Sequence, residues 1–425
     1  MLATKHGVMA DNGWMRIVIN SEPIRIVRLG ILAALPVLLL GCTVLRLHSP
    51  LPQKLESSVQ MPGMPEVRAW GGEFSPVFQQ DAIEAREQQN NNGLFEKGGV
   101  VNILAISGGG GDGAFGAGLL CGWTATGTRP SFKLVTGVST GALTAPFAFL
   151  GPAYDDKLKQ VYTTITTKDI FRLKSLLAIL LRPDAIVLND PLAKLTAEVV
   201  DEKMLKDVAT EHLKGRRLLI STTALDAHRP VVWNMGAIAA SGHPNALGLF
   251  RDIMIASAAV PVAFPPIYIK VEADGQRFDE MHVDGGVSNQ VFLYGPMLKP
   301  LKFNKNTDDG LPKREAHVYI IRNTQLRPDW QNVRPSLRSI GSRSISSLIR
   351  AQGIGDLFRI YVTTQRDKLD FNLTFIPDSL NVNREDEFDN RVMNLLFDAG
   401  YKLAKQGYHW RNVPPGYYPM KKGED

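Results

Sequence analysis

An apolar stretch, Val100-Val101-Asn102-Ile103-Leu104-Ala105-Ile106, runs straight into Ser107-Gly108-Gly109-Gly110-Gly111-Asp112-Gly113, and a helix-forming stretch follows from Ala114. A strand that turns through consecutive glycines into a helix leaves backbone N–H groups converging at the helix N-terminus, where they can hold negative charge. Few arrangements accommodate such a turn, and a strand-loop-helix unit at the carboxyl edge of a parallel sheet is the main one.

A second strand signal, Leu134-Val135-Thr136, leads into Gly137-Val138-Ser139-Thr140-Gly141. The flanking glycines, Gly137 and Gly141, permit the sharp strand-to-helix turn that lifts a serine hydroxyl out of the backbone. Much later, His282-Val283-Asp284-Gly285-Gly286 ends an apolar-rich segment in an aspartate, and two glycines let the chain turn away from it. A fourth segment, Ala256-Ser257-Ala258-Ala259-Val260-Pro261 through Phe264-Pro265-Pro266, precedes it. A serine hydroxyl needs a base to take its proton, and the tetrahedral intermediate of acyl transfer needs donors for its oxyanion.

In this order and approximate spacing, the four segments resemble the patatin-like phospholipase family over residues 98 to 300. The resemblance implies a three-layer α/β fold, with a mainly parallel central sheet and helices on both faces. It also implies a serine lipid acyl hydrolase that cleaves carboxylic esters of phospholipids or other acyl lipids. Ser139 would attack the ester, Asp284 would accept its proton without a histidine and later activate water, and amides around Gly109, Gly110 and Gly111 would form the oxyanion hole. No cofactor is implied. Members of the family commonly carry Arg or Lys where this chain has Asp112. A carboxylate there suits capping of the following helix, and its charge brings non-phospholipid esters into consideration.

Three other readings compete. Gly111-x-Gly113-x-x-Gly116 fits a dinucleotide fingerprint, but that reading needs an acidic residue at the end of the next strand, and Phe132 to Gly137 contains none. A conventional α/β-hydrolase would pair Ser139 with an aspartate and a histidine such as His409. A lipid-anchored relative that has lost activity is the third.

At the N-terminus, Arg16, Arg25 and Arg28 precede an apolar run from Ile31 to Leu40 that ends at Gly41-Cys42. The run is too short to span a bilayer and has the flanks of an export signal. It resembles a bacterial lipoprotein signal, implying that Cys42 is lipidated and becomes the mature N-terminus, so that the chain meets a membrane surface of the bacterial cell envelope through a lipid anchor. Only one other cysteine is present, Cys121, which excludes a disulfide framework and reads as a small buried apolar residue. The net charge of +6 permits weak attraction to anionic surfaces. No basic block interleaves with aromatics, which argues against nucleic acid, and no His/Cys or carboxylate cluster has metal-site spacing.

The expected organisation is a signal over 1–41, a tether and extension over 42–97, a catalytic core over 98–300, and a C-terminal strand and helices over 301–425. Within it, strands are predicted at Val100–Ile106, Phe132–Thr136, Arg217–Thr223, Val231–Trp233, Pro266–Val271 and His317–Ile321. Helices are predicted at Ala114–Thr126, Thr140–Leu150, Pro191–Leu213, Gly248–Ala259, Ser342–Thr363 and Glu385–Gln406, with a short one at Asp81–Gln89. Strand-helix alternation of this kind gives a parallel sheet covered on both faces.

Overall fold

A nine-stranded sheet carries the fold from Pro50 onward. The computed structural model describes residues 48–92, 99–173, 187–188, 190–300, 315–328, 330, 332–380 and 386–418. Its strands are β1 (Arg68–Trp70), β2 (Val101–Ile106), β3 (Leu134–Val138), β4 (Arg172–Leu173), β5 (Val187–Leu188), β6 (Arg217–Ala224), β7 (Arg229–Asn234), β8 (Ile267–Ala273), β9 (Gln276–Asp284), β10 (Ala316–Arg322) and β11 (Asp370–Phe375). The order β11-β10-β2-β3-β6 is parallel throughout, and β7 and β1 extend it antiparallel. Antiparallel β9 joins β6 with Thr222 opposite Asp284, and β8 pairs with β9. The short strands β4 and β5 pair separately.

Both faces of the parallel strands are covered, so their side chains alternate between two apolar layers rather than between core and water. Along β2, Leu104 and Ile106 enter one layer with Phe115, Leu119, Leu396 and Phe397. Ile103 and Ala105 enter the other with Val318, Ile320, Leu357 and Ile360. The helices of these layers are α1 (Pro76–Asn91), α2 (Gly113–Ala125), α3 (Thr140–Leu150), α4 (Asp155–Thr164), α5 (Thr167–Ile170), α6 (Asp190–Val199), α7 (Glu202–Leu213), α8 (Met235–Ala240), α9 (Ala246–Ser257), α10 (Leu337–Asp367) and α11 (Asn390–Lys405).

Several elements depart from the sequence expectation, each for a local reason. The single helix predicted over Pro191–Leu213 is two, because Asp201 accepts a hydrogen bond from Met204 N at 2.8 Å and caps a new helix. The predicted helix at Ser342–Thr363 grows at both ends into α10, from an N-cap at Ser336 to Lys368 in the left-handed conformation at φ 57°. Its C-terminal half packs on the sheet through Leu357 and Ile360, while Leu337, Ile340 and Leu348 are exposed. Strands β1, β4, β5, β9 and β11 lie outside the predicted set. Within the expected tether and extension, Met61, Met64 and Val67 are buried, and Asp81 of α1 is paired with Arg217 of β6. The signal segment and Cys42 lie outside the described residues. No described helix is long and apolar enough to cross a membrane.

Helices α2 and α11 approach backbone to backbone. A Cβ on Gly118 would strike the Phe397 carbonyl, one on Gly122 would strike that of Tyr401, and one on Gly400 would strike that of Phe115. Since α2 begins at the glycine loop, this contact fixes the loop's outgoing direction. Alanine ordinarily stabilises a helix by about 1 kcal/mol over glycine. Gly118→Ala is nevertheless expected to lower stability, by roughly the 1–3 kcal/mol typical of overpacking. Urea denaturation would measure this, and a midpoint equal to or above wild type would show that the helices separate without cost.

Candidate active site

The glycine loop leaves β2, Ser139 follows β3, and Asp284 ends β9, so three chain segments meet at the carboxyl edge of the sheet. Ser139 sits at φ 54° and ψ −125°, a conformation that a residue with a side chain adopts only under strain. Close packing enforces the turn. A Cβ on Gly137 would strike the Gly141 carbonyl, and one on Gly141 would strike the carbonyls of Ile106 and Ser107. The Ser139 amide donates to Ser257 Oγ at 3.0 Å, and that hydroxyl donates to Ser221 O at 2.7 Å.

The Ser139 hydroxyl donates to Asp284 Oδ2 at 2.7 Å, and Gly286 N donates to Asp284 Oδ1 at 2.6 Å. On the backbone of the same residue, Asp284 N donates to Ala259 O at 2.9 Å, and Thr223 Oγ1 donates to Asp284 O at 3.0 Å. The segment Ala256–Pro261 therefore holds both residues, with Ser257 gripping the serine and Ala259 the aspartate. Asp284 is 4% exposed. Burial pushes its carboxyl from 3.8 up to about 7, against the opposing pull of its bonds from Ser139 and Gly286.

The loop is braced from β10. Asn323 N donates to Ser107 Oγ at 2.9 Å, Asn323 Nδ2 donates to Ser107 O at 3.0 Å, and Asn323 Oδ1 accepts from Gly116 N at 3.1 Å. Gly108 N donates to Gln290 O at 3.0 Å, and a Cβ on Gly108 would lie 3.0 Å from Ser139 Cβ, so the loop passes directly beside the serine. Gly110 takes a left-handed φ of 56°. At Gly109 a Cβ would strike the Asn323 carbonyl, and at Gly110 and Gly111 it would strike Glu387. Asp112 occupies the N-cap position of α2 but makes no capping hydrogen bond with its side chain. Its backbone is already helical, in a short turn continuous with α2, whereas a capping side chain needs an extended residue.

No histidine hydrogen-bonds to Ser139, whose amide and hydroxyl partners are Ser257 and Asp284, among the described residues. His282, two positions before Asp284, has Nδ1 at 2.9 Å from Thr222 Oγ1 and Nε2 at 3.1 Å from Glu280 Oε2. His409 is exposed in the C-terminal tail. Cys121 is buried, and burial raises its thiol to about 12, far from a reactive thiolate. No group of three metal-ligating side chains converges among the described residues. Sequence motifs pointed to Ser139, Asp284 and the loop. Asn323 and Gln290, by contrast, bear on the loop from distant segments and carry no local signal.

Residues 104–295 match the patatin-like phospholipase family. No curated protein matches the chain significantly. Among solved structures, VipD from Legionella pneumophila is similar at 11% identity and a TM-score of 0.33, over 72% of this chain and 66% of that one. ExoU from the type III secretion system of Pseudomonas aeruginosa, in a complex with SpcU, is similar at 13% identity and a TM-score of 0.30, over 73% of this chain and 52% of that one. The chain thus spans just under two thirds of the first and about half of the second.

Asp284 has a folded pKa above its unfolded one, so between about pH 4 and 7 the folded state keeps a proton that the unfolded state has released. Its burial therefore costs more stability as pH rises through that window, and the full cost holds above it. Asp284→Asn is expected to raise Tm, with a larger gain at pH 8 than at pH 5. A gain independent of pH, or a loss at pH 8, would show that the carboxyl is not strained by burial.

Proposed function

We propose that this chain, whose residues 104–295 match the patatin-like phospholipase family, is a lipid ester hydrolase that works through Ser139 as nucleophile and Asp284 as its base. The observation that carries the reading is the 2.7 Å hydrogen bond from Ser139 Oγ to a buried carboxyl held near pKa 7. An ordinary aspartate is too weak a base at neutral pH, and burial brings this one to the range where proton transfer is effective.

In the acylation step Ser139 Oγ attacks the ester carbonyl as its proton passes to Asp284 Oδ2. The oxyanion forms beside the loop, where the amides of Gly109, Gly110 and Gly111 serve as donors. Asp284 then returns the proton to the leaving alcohol and later takes one from water, which hydrolyses the acyl-enzyme. The strained backbone of Ser139 and the Ser257 bond to its amide hold the nucleophile in place without help from substrate. Lipid acylation at Cys42 and a place in the bacterial cell envelope complete the proposal. They rest on the basic, apolar and cysteine order of the N-terminus, and Cys42→Ser is expected to release the protein from membranes or leave an unprocessed precursor.

Ser139→Ala and Asp284→Asn are each expected to abolish most ester hydrolysis, with the double variant losing little more, because the two act as a unit. Since the base must be ionised, kcat/KM should rise with pH through about 7 and then level off. Labelling by a fluorophosphonate should disappear in Ser139→Ala. A folded His409→Ala as inactive as Ser139→Ala would replace this reading with a histidine triad.

A further inference from the structure

Arg322 ends β10 on the side of the strand that faces α10, at the sheet edge that carries Ser139. It is 3% exposed, its Nε has no hydrogen-bond partner, and it takes part in no ion pair among the described residues. A buried cation without an anion is costly. The nearby carboxylate, Asp356, is occupied: it accepts from Gln290 N and from Arg359 Nη1, each at 2.7 Å. A second guanidinium, Arg350, stands close enough to join burial in pushing Arg322 down to about 10. Arg350 donates to Leu326 O at 2.6 Å, a bond that leaves its charge uncompensated.

Arg322 lies one side chain away from the glycine loop beside the nucleophile. A Cβ on Gly353 would lie 3.1 Å from both Arg322 Nη1 and Gln290 Cβ, so Arg322 and Gln290 are neighbours under α10. Gln290 Oε1 lies 3.1 Å from the corresponding point on Gly108, whose other neighbour at 3.0 Å is Ser139 Cβ. Arg322, Gln290, Gly108 and Ser139 are therefore contiguous.

We propose that Arg322 and Arg350 form an anion subsite beside Ser139 that takes the phosphate of a glycerophospholipid, with Gln290 between that phosphate and the scissile ester. The proposal rests on Ser139 attacking an acyl ester. In a glycerophospholipid only the glycerol carbons separate phosphate from ester, and only Gln290 and Gly108 separate Arg322 from Ser139. It supplies the positive charge that Asp112 does not.

The test compares phosphatidylglycerol with diolein in the same mixed micelles. Arg322→Gln is expected to lower the ratio of their kcat/KM values about tenfold or more, the scale of a lost charged hydrogen bond, and Arg322→Lys should restore part of it. Arg350→Gln, a change at a half-buried position, should shift the ratio the same way and serves if Arg322→Gln does not fold. Independently of turnover, glycerol 3-phosphate should raise the Tm of Ser139→Ala but not of Ser139→Ala/Arg322→Gln. Equal losses on both lipids, or an unchanged ratio, would overturn the subsite. An equal Tm shift with inorganic phosphate together with an unmoved lipid ratio would mark a site for free phosphate and overturn the headgroup assignment. If the wild type hydrolyses no ester, the acyl-transfer reading fails while the Tm comparison still decides whether the arginines bind a phosphate.

Discussion

The withdrawal of the Asp284 carboxyl from water is the constraint around which the carboxyl edge of this sheet is arranged. A buried carboxylate gains little unless its lone pairs are met, and here Ser139 Oγ and Gly286 N meet one oxygen each. Those bonds favour the ionised form, and burial opposes them and wins, leaving the group near neutrality instead of near 3.8. A more exposed aspartate would be ionised but too weakly basic, whereas one without the Ser139 and Gly286 bonds would hold its proton to higher pH. The proton affinity of Asp284 therefore depends on how β9, β6 and the turn after it are packed.

That packing explains why small residues recur around the site. Gly285 closes the turn after Asp284 at a point where a Cβ would strike the Ser221 carbonyl, and Ser221 O is also the acceptor of the Ser257 hydroxyl. Gly137 and Gly141 admit the backbone contacts of the elbow, and Gly118, Gly122 and Gly400 do the same between α2 and α11. In each case the glycine is required by a neighbouring backbone atom. Conformational freedom is required more narrowly, as at Gly110, where φ is 56°. The strain at Ser139, a residue with a side chain, is thus held by surrounding segments that have no room to relax.

Sequence periodicity located the parallel core well because β2, β3, β6 and β10 are stretches rich in apolar and β-branched residues bounded by turn residues, as expected of strands buried on both faces. It was weakest where an element draws its stability from a distant partner. Strand β1 is three residues long and exists by pairing with β7, and β11 follows a long helix and pairs in register with β10. The motif residues were legible because they need unusual local geometry. The Asp112 cap was misread for a related reason: residue type suggested a cap, but the backbone enters the helix one turn early, in the short turn Gly110–Asp112.

The same distinction bears on what a lipid hydrolase must recognise. Local motifs specify chemistry at the ester, since a nucleophile, a base and amide donors suffice for acyl transfer on any carbonyl that reaches them. Selectivity among esters has to come from groups that contact the rest of the substrate, and these are contributed by segments remote from the motifs. In the proposed subsite, helix α10 is such a segment. Asp356 fixes the backbone at Gln290, Gly353 lets the helix approach, and Arg350 lies along the same helix. Gln290 in turn receives the amide of Gly108, so the element that presents cations also sets the position of the glycine loop beside Ser139. Under the proposed subsite and oxyanion loop, a substitution in α10 that moved Gln290 would disturb headgroup recognition and oxyanion geometry together, coupling substrate choice to turnover through one hydrogen-bonded connection.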